Sequence, residues 1–257
     1  VAVLTNLSPD HLDRYDDEWS YYKAKQRLFE MQSDGQLGIW MHDDENSWRL
    51  FDALDPPFED WTYNGRKCSL DRNVGEFASS LSHSLAGPHN LANAAEAIEV
   101  CRQLGAPDEV IRSASQTFDG LPHRMERVRE RNGVLFINDS KATNPEAAAP
   151  ALAAYPRVRW IVGGQAKTTD LGETAQHLTH VLHAYTIGEA GPMFARLLRK
   201  QGVHVTESET LENAVKRAAA DSQAGDVVLL SPACASFDQF RDFEARGDAF
   251  RRQVGEL

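Results

Sequence analysis

Hydroxyl and other small side chains directly follow the apolar stretch Val-Val-Leu-Leu at 227–230, in the run Ser-Pro-Ala-Cys-Ala-Ser-Phe-Asp-Gln-Phe at 231–240. The apolar stretch is typical of a buried strand. The run after it would turn serine hydroxyls and backbone N–H groups toward the crevice in which open α/β sheets bind their ligands. The sequence therefore predicts a loop that holds a small polar substrate, with an ordinary turn from strand to helix as the alternative.

Two further polar runs each follow an apolar stretch of their own. They are Asn-Asp-Ser-Lys-Ala-Thr-Asn at 138–144 and Gly-Gly-Gln-Ala-Lys at 163–167. Because the carboxyl ends of parallel strands meet at one edge of a sheet, we expect the three runs to converge there. Independent turns have no structural reason to carry lysine, serine and threonine together, so their convergence indicates a binding site.

The N-terminal part holds a candidate metal site. In Asp-His-Leu-Asp-Arg at 10–14 an imidazole lies between two carboxylates. His11 could bind a divalent cation there, although a solvated turn that caps a helix is the alternative. Lys25 follows on a predicted helix. A desolvated amine at Lys25 could react with carbon dioxide to form a carbamate, an anionic metal ligand, whereas most helical lysines are simply solvated.

Two other motifs could bind a nucleotide. Asn90 and Asn93 lie on adjacent turns of a predicted helix, and a side-chain amide has the donor and acceptor pair that recognises a purine edge. Capping of the helix by Asn90 is the alternative. His123 and Arg124 follow in Leu-Pro-His-Arg-Met-Glu at 121–126. An arginine there could contact a nucleotide phosphate, or form a salt bridge between domains.

A regular alternation of strands and helices must position the three polar runs. Five short apolar strands, with helices between them, predict a doubly wound α/β sheet that is mainly parallel. The strands are predicted at 134–138, 158–162, 183–187, 203–206 and 227–230, and the helices at 146–154, 173–180, 192–201, 211–220 and 237–253. The change of texture after residues 118–124 predicts two domains, 1–122 and 123–257.

The earlier domain is predicted to be less regular. Strands are expected at 1–4 and 37–41, and helices at 18–31, 90–104 and 108–117. The chain begins with valine inside an apparent strand, which predicts that it is a truncated piece.

The composition of this 257-residue chain limits the classes of partner that it could bind. Its net charge of −11 disfavours nucleic acid and anionic membranes. Three distant cysteines argue against a disulfide framework or a zinc site and fit a reducing cytoplasm. No apolar run approaches the roughly 20 residues of a membrane span. A cytoplasmic monomer is expected.

Five motifs of this chain occur in the same order in the Mur ligases, and the chain resembles that family along essentially its whole length. The resemblance implies the C-terminal half of the central ATP-binding domain at 1–122, followed by a Rossmann-like, glutamate-binding C-terminal domain at 123–257. The motifs are Asp-His-Leu-Asp, Gly-Pro-His-Asn-Leu-Ala-Asn, Gly-Leu-Pro-His-Arg, Asn-Asp-Ser-Lys-Ala-Thr-Asn and Leu-Leu-Ser-Pro-Ala-Cys-Ala-Ser-Phe-Asp-Gln-Phe.

The activity that the resemblance implies is ATP-dependent ligation of D-glutamate to UDP-N-acetylmuramoyl-L-alanine through an acyl phosphate, in peptidoglycan precursor synthesis. ATP and Mg²⁺ are the implied cofactors. The partners would be small molecules alone, with no nucleic acid or membrane.

The resemblance also implies roles for individual residues. The catalytic residues would be His11, Lys25, His123 and Arg124, with His11 and the carbamate of Lys25 as Mg²⁺ ligands. The ATP contacts would be Asn90, Asn93, Arg124 and Asp139. The D-glutamate pocket would consist of Lys141, Thr143, Lys167, Ser236, Phe237 and Phe243, supported by Arg246.

The chain departs from the family pattern in two ways. The phosphate loop of the type Gly-x-x-Gly-Lys-Ser/Thr and an acidic ligand of a second Mg²⁺ are missing, and both are expected to precede Val1. The isolated chain is therefore expected to be inactive. The spacing from His11 to Lys25 is also shorter than the family's by about one residue. Two alternatives remain open: a sister ligase that adds another amino acid, and a non-catalytic Rossmann-like module that binds a nucleotide or an amino acid.

Overall fold

The computed structural model describes residues 1–7, 14–33, 38–40, 46, 50, 81–82 and 88–257. The chain divides into two compact units, Val1–Phe118 and Asp119–Leu257, which we call unit 1 and unit 2. Within the described residues, no helix combines the length and the apolar character needed to cross a membrane.

Unit 1 contains a short parallel strand pair and a capped helix. Strands β1 (Ala2–Leu4) and β2 (Gly38–Trp40) pair in parallel. Helix α1 (Glu18–Glu30) begins where the sequence provides a capping box: the Asp17 carboxylate accepts from the Ser20 N–H at 2.6 Å, and the Ser20 hydroxyl accepts from the Asp17 N–H at 3.2 Å. These two bonds satisfy donors that would otherwise be left unpaired at the helix end.

Two further helices of unit 1 pack on each other. They are α2 (Pro88–Gln103) and α3 (Asp108–Thr117), and buried Ile98 of α2 and Ile111 of α3 belong to one apolar cluster. The predicted helices at 90–104 and 108–117 are therefore present, with α2 starting two residues earlier.

Unit 2 is built on one six-stranded sheet with the order β3-β4-β8-β5-β6-β7. β3 runs antiparallel to β4, and all other neighbours are parallel. This confirms the predicted α/β class with a mainly parallel sheet. The strands are β3 (Glu126–Arg131), β4 (Val134–Asn138), β5 (Val158–Gly163), β6 (Val181–Ile187), β7 (Val205–Glu209) and β8 (Val227–Leu230).

Helices cover both faces of this sheet. Because side chains alternate along a strand, Trp160 packs into the core on one face and its neighbour Ile161 into the core on the other, and both are fully buried. On the Trp160 face lie α4 (Pro145–Ala153), a 3₁₀ helix (Gly172–His180) and α5 (Gly191–Lys200); on the Ile161 face lie α6 (Leu211–Asp221) and α7 (Phe243–Glu256).

Three elements of unit 2 differ from the expectations. The charged strand β3 was not predicted, because an edge strand that is mostly exposed lacks the apolar alternation of a half-buried strand. The segment predicted as a helix at 173–180 is a 3₁₀ helix. The last helix begins at Phe243 instead of 237, because the Asp242 carboxylate caps it by accepting from the Ala245 N–H at 2.7 Å.

Candidate functional site

Three loops of unit 2 leave the sheet side by side. We call them the β4 loop (139–144), the β5 loop (164–170) and the β8 loop (231–242). β8 lies between β4 and β5, and Leu230 at its end is opposite Asn138 of β4 and Ile161 of β5. The predicted convergence of the three polar runs at one edge of the sheet is therefore present in the structure.

A buried carboxylate joins the β4 loop to the β8 loop. Asp139 accepts from the Ser231 hydroxyl at 2.8 Å and from the Met125 N–H at 3.1 Å, and its own N–H donates to the Leu230 carbonyl at 2.7 Å. Burial raises the pKa of Asp139 to about 7, against the two hydrogen bonds and the nearby charge of Arg124, which favour the carboxylate. Since both oxygens have protein partners, Asp139 fixes the relative position of the two loops.

Backbone hydrogen bonds join the β5 loop to the β8 loop. Gln165 and Ala235 exchange two of them, at 2.9 and 3.0 Å, and the Gly163 N–H donates to the Pro232 carbonyl at 2.9 Å. Gly164 has a φ of +133°, and a Cβ there would lie 2.3 Å from the Ala235 carbonyl oxygen. Only glycine allows this approach of the two backbones.

Arg246 of α7 joins the β4 loop to the β8 loop by hydrogen bonds. Its guanidinium donates to the Ser140 hydroxyl at 3.0 Å and the Ser140 carbonyl at 2.9 Å, and to the carbonyls of Cys234 at 3.0 Å and Ala235 at 3.3 Å. Burial lowers its pKa to about 10, so the group stays charged at neutral pH. The side chain is 1% exposed, and it therefore holds the loops without reaching a ligand itself.

Lys141 and Phe243 form one wall of the site. The Lys141 ammonium lies 5.6 Å from the centroid of the Phe243 ring, within the range of a cation–π contact. The imidazole of His123 also contacts that ring, edge-on at 6.2 Å between centroids. Phe243 thus orders a cation at the edge of the β4 loop.

The turn before β3 holds strained backbone. His123 and Met125 have φ values of 62° and 47°, and Arg124 lies exposed between them. A positive φ in non-glycine residues costs of order 1–3 kcal/mol and persists only where the surroundings impose it. The turn therefore holds Arg124 outward at a fixed position.

The residues predicted for the D-glutamate pocket all lie on the three loops or at the start of α7. Lys141 and Lys167 are exposed, Thr143 and Phe243 are half-buried, and Ser236 is buried. Phe237 is 67% exposed, a large apolar surface at the rim of the β8 loop. Which ligand these residues bind stays a prediction.

Of the four site residues predicted in unit 1, the structure describes three. His11 lies outside the described residues. Lys25 is exposed on α1, with its ammonium 5.0 Å from the centroid of the Tyr21 ring. Asn90 is buried and Asn93 is exposed one turn later on α2. In the described part of the chain, no group of three or more His, Cys, Asp or Glu side chains could hold a metal ion.

Sequence reasoning missed the residues that anchor the β8 loop to the far strands. Asp238 accepts from the Glu189 N–H at 2.9 Å, and the Gln239 amide donates to the Glu209 carbonyl at 2.8 Å. These bonds reach the ends of β6 and β7. Both residues lie in the run at 231–240, so their polarity was visible, but their partners were not.

The arrangement suits a small dianion. An ammonium group on each of two neighbouring loops can bind a carboxylate by charge-assisted hydrogen bonds. Hydrogen bonds among the loops hold the backbones that carry these lysines before a ligand arrives, which lowers the entropic cost of binding.

Two family models match this chain. Residues 1–101 match the Mur ligase middle domain, and residues 123–234 match the Mur ligase glutamate ligase domain. The chain belongs to the Mur ligase family.

Curated relatives narrow the similarity to one kind of Mur ligase. The chain is 52% identical to a UDP-N-acetylmuramoylalanine--D-glutamate ligase of Novosphingobium aromaticivorans and 48% identical to the enzyme of that name from Zymomonas mobilis. All of this chain is covered in both cases, but only 57% and 56% of the relatives. The chain thus spans little more than half the length of the curated relatives it matches.

Solved structures share the fold at lower sequence identity. MurF ligase from Thermotoga maritima in complex with ADP superimposes with a TM-score of 0.67 at 19% identity, over 99% of this chain and 62% of that one. E. coli FolC in complex with ADP gives a TM-score of 0.63 at 20% identity, over 100% of this chain and 62% of that one.

Proposed function

We propose that this chain supplies the D-glutamate site of an enzyme that ligates D-glutamate to UDP-N-acetylmuramoyl-L-alanine with ATP, in peptidoglycan synthesis. The observation that carries the proposal is the hydrogen-bonded junction of the β4, β5 and β8 loops, which places Lys141, Lys167 and Ser236 on neighbouring loops. The names of the most similar relatives support D-glutamate as the amino acid.

The chemistry requires activation of a carboxylate, which is a poor electrophile at neutral pH. The carboxylate of the muramoyl-alanine attacks the terminal phosphorus of ATP, and ADP leaves. The amine of D-glutamate then attacks the acyl carbon, and the tetrahedral intermediate collapses to an amide while phosphate leaves. Cationic side chains stabilise the negative charge that develops in both steps.

In this scheme unit 2 binds and orients the nucleophile. Lys141, Lys167, Ser236 and Thr143 would hold the two carboxylates of D-glutamate, and the rings of Phe237 and Phe243 would line the pocket. Arg246 would keep the loops in register. The amine would then have a fixed direction of attack, which is the main contribution that positioning makes to catalysis.

The nucleotide side of the proposal rests on other residues. Asn90 and Asn93 of α2 would contact adenine, Arg124 a phosphate and Asp139 the ribose, although Asp139 already has two protein partners. On this proposal residues 1–122 belong to the ATP-binding domain and 123–257 form the glutamate domain. Cytoplasmic location and a monomeric state stay predictions.

Magnesium would neutralise the phosphate charge when bound. Its proposed ligands are His11 and a carbamate on Lys25. Because His11 lies outside the described residues, we derive no step through the metal. A crystal of the complete enzyme that shows a bare Lys25 amine far from any metal would refute the carbamate.

Turnover tests the proposed reaction. We would join this chain to the part of the Novosphingobium aromaticivorans relative that it does not cover, and measure ADP release with UDP-N-acetylmuramoyl-L-alanine and D-glutamate. ADP release that depends on D-glutamate is expected. No release, or equal release with L-glutamate, would contradict the proposal, and binding without turnover would favour the non-catalytic Rossmann-like module.

Two substitutions test the pocket. Lys167→Ala and Ser236→Ala should each weaken the use of D-glutamate by about 1–3 kcal/mol, because each removes a partner of a charged group. Lys216→Ala is the matched control, since this exposed lysine of α6 pairs with Glu212 at 2.6 Å instead. Unchanged kinetics in the first two variants would show that the pocket lies elsewhere.

A further inference from the structure

The side chain of Asn138, at the end of β4, is fully buried and lies in a cluster of polar groups. Its amide nitrogen is 3.0 Å from Nδ1 of His123, 3.1 Å from a carboxylate oxygen of Glu126 and 3.2 Å from the Gly247 carbonyl. Its oxygen accepts from the Ser140 N–H at 3.2 Å. Every polar atom of this amide therefore has a neighbour.

These neighbours determine the positions of the nitrogen and the oxygen of the Asn138 amide. The Glu126 carboxylate and the Gly247 carbonyl only accept, and the Ser140 N–H only donates. Turning the amide over would place oxygen against oxygen on one side and N–H against N–H on the other. The NH₂ group of Asn138 must therefore face His123.

The orientation of the amide decides where the imidazole of His123 carries its proton. The two N–H bonds of the amide face three acceptors, so one N–H bond is shared between two of them. Because an NH₂ group donates and does not accept, a proton on Nδ1 at 3.0 Å would meet an N–H bond, and Nδ1 is therefore an acceptor. The carboxylate of Glu126 is 4.0 Å from Nδ1, beyond hydrogen-bond distance. The proton of the neutral ring is thus on Nε2, which lies 3.7 Å from an oxygen of Asp248.

Packing holds the ring against this amide. A Cβ at Gly247 would lie 2.1 Å from Nδ1 of His123, so α7 has no side chain at the point of contact. The Phe243 ring closes another side, edge-on at 6.2 Å. The backbone of His123 is also fixed, because its N–H donates to Glu126 at 2.9 Å and its carbonyl accepts from the Lys141 N–H at 3.0 Å.

We infer that Asn138 is a positioning residue, which keeps the neutral ring of His123 in the tautomer protonated on Nε2. The ring then has one N–H donor, directed away from the cluster, toward Asp248 or an anionic group of a ligand. That use in ligation rests on the proposed function, whereas the tautomer itself does not. Asn138 also joins β4 to α7, and so couples the tautomer to the frame that holds the three loops.

The tautomer can be read by NMR in the chain labelled with ¹⁵N and ¹³C at histidine, at a pH where the neutral rings dominate. His180 is an internal reference for the opposite tautomer. Its Nδ1 lies 3.0 Å from the Leu152 carbonyl, which can only accept, so Nδ1 of His180 must carry the proton. The spectrum should show His123 protonated on Nε2 and His180 protonated on Nδ1. The variants H123Q and H180Q assign the two signals.

Two variants test whether Asn138 is the cause. Asn138→Ala should give a mixture of both tautomers at His123 and leave His180 unchanged. Ser140→Ala keeps the backbone N–H that donates to Asn138, so it should leave the His123 tautomer as it was, with native near-UV circular dichroism as the check on folding. If H123Q or Asn138→Ala does not fold, a scalar coupling between Asn138 Nδ2 and His123 Nδ1 in the unsubstituted chain replaces them.

A proton on Nδ1 of His123, or an unshifted tautomer in folded Asn138→Ala, would overturn the inference. Absence of the scalar coupling would overturn it as well. Loss of ligase activity alone bears only on the proposed function, because the NMR measurement requires no substrate.

Discussion

Replacing Arg246 tests whether one buried cation holds the β4 and β8 loops together. In Arg246→Met the chain keeps a side chain of similar length but loses four hydrogen bonds. The Ala235 carbonyl still accepts from the Gln165 N–H. No other donor to the carbonyls of Ser140 and Cys234 is present in the described part of the chain, so these two oxygens lose their partner.

Two effects of opposite sign set the size of the change. Each buried carbonyl left without a donor costs about 1–3 kcal/mol, which gives about 2–6 kcal/mol for two. Removing the guanidinium also relieves its desolvation. The fall of its pKa from 12.5 to about 10 corresponds to roughly 3 kcal/mol. The difference between the two effects lies between a gain of about 1 and a loss of about 3 kcal/mol, and from the middle of the first range we expect unit 2 to lose about 1 kcal/mol of its free energy of unfolding.

The assay is urea unfolding of the chain labelled with 5-fluorotryptophan. Trp160 is the one tryptophan of unit 2, since the other four lie at or before position 61, and its ¹⁹F resonance therefore reports this unit. Arg252→Met is the control, because Arg252 is exposed on the same helix, and it should change stability by less than about 0.5 kcal/mol. An Arg246→Met chain that is more stable than the unsubstituted one by more than about 1 kcal/mol would refute the argument that Arg246 holds the loops.

Three other substitutions follow from local geometry. Gly247→Ala should destabilise unit 2, because its Cβ would meet His123 at 2.1 Å, whereas Gly255→Ala on the same helix has open space and should stabilise by up to about 1 kcal/mol; thermal unfolding compares them. Asp139, with a pKa raised to about 7, binds a proton in the native state over a range where the unfolded chain does not, so the free energy of unfolding should fall by at most about 4 kcal/mol between pH 4 and 7. Asp139→Asn should remove that slope in urea titrations at several pH values, and an unchanged slope would contradict the assignment. Among the residues that the structure describes, buried Glu96 of α2 has no hydrogen-bond partner, and burial raises its pKa to about 7. Glu96→Gln should therefore stabilise unit 1 at pH 8 by at most about 3 kcal/mol, and equal stability of the two chains at pH 8 would show that burial of this charge costs nothing.

The alternation of apolar and polar residues was enough to predict most of unit 2. Five strands of its sheet and the β4, β5 and β8 loops follow from short apolar runs that end in polar residues. β3 was not predicted because its sequence, Glu-Arg-Val-Arg-Glu-Arg, carries five charges in six residues. A tight turn joins it to β4, and an analysis of hydrophobic periodicity does not detect such a turn.

The interactions that shape the site were not predictable in the same way. From sequence alone, an arginine within a helix is expected at the surface. Arg246 is nevertheless buried, because three carbonyls and a hydroxyl accept hydrogen bonds from its guanidinium. From the sequence, Asn138 is the polar end of a strand, although the partners of its amide nitrogen lie 12 to 109 residues away in the chain. Hydrogen-bond partners that are distant in sequence leave no local signal.

Strand order explains why residues so far apart in sequence form one site. Ser140 and Cys234 are separated by more than ninety positions, but β8 inserts between β4 and β5, so both residues follow adjacent strand ends. β8 pairs with β4 on one side and with β5 on the other, so the sheet itself places the β8 loop between the β4 and β5 loops. The proximity of the three loops is therefore a consequence of topology first, and Asp139, Arg246 and Gly164 then join neighbouring loops through their buried contacts.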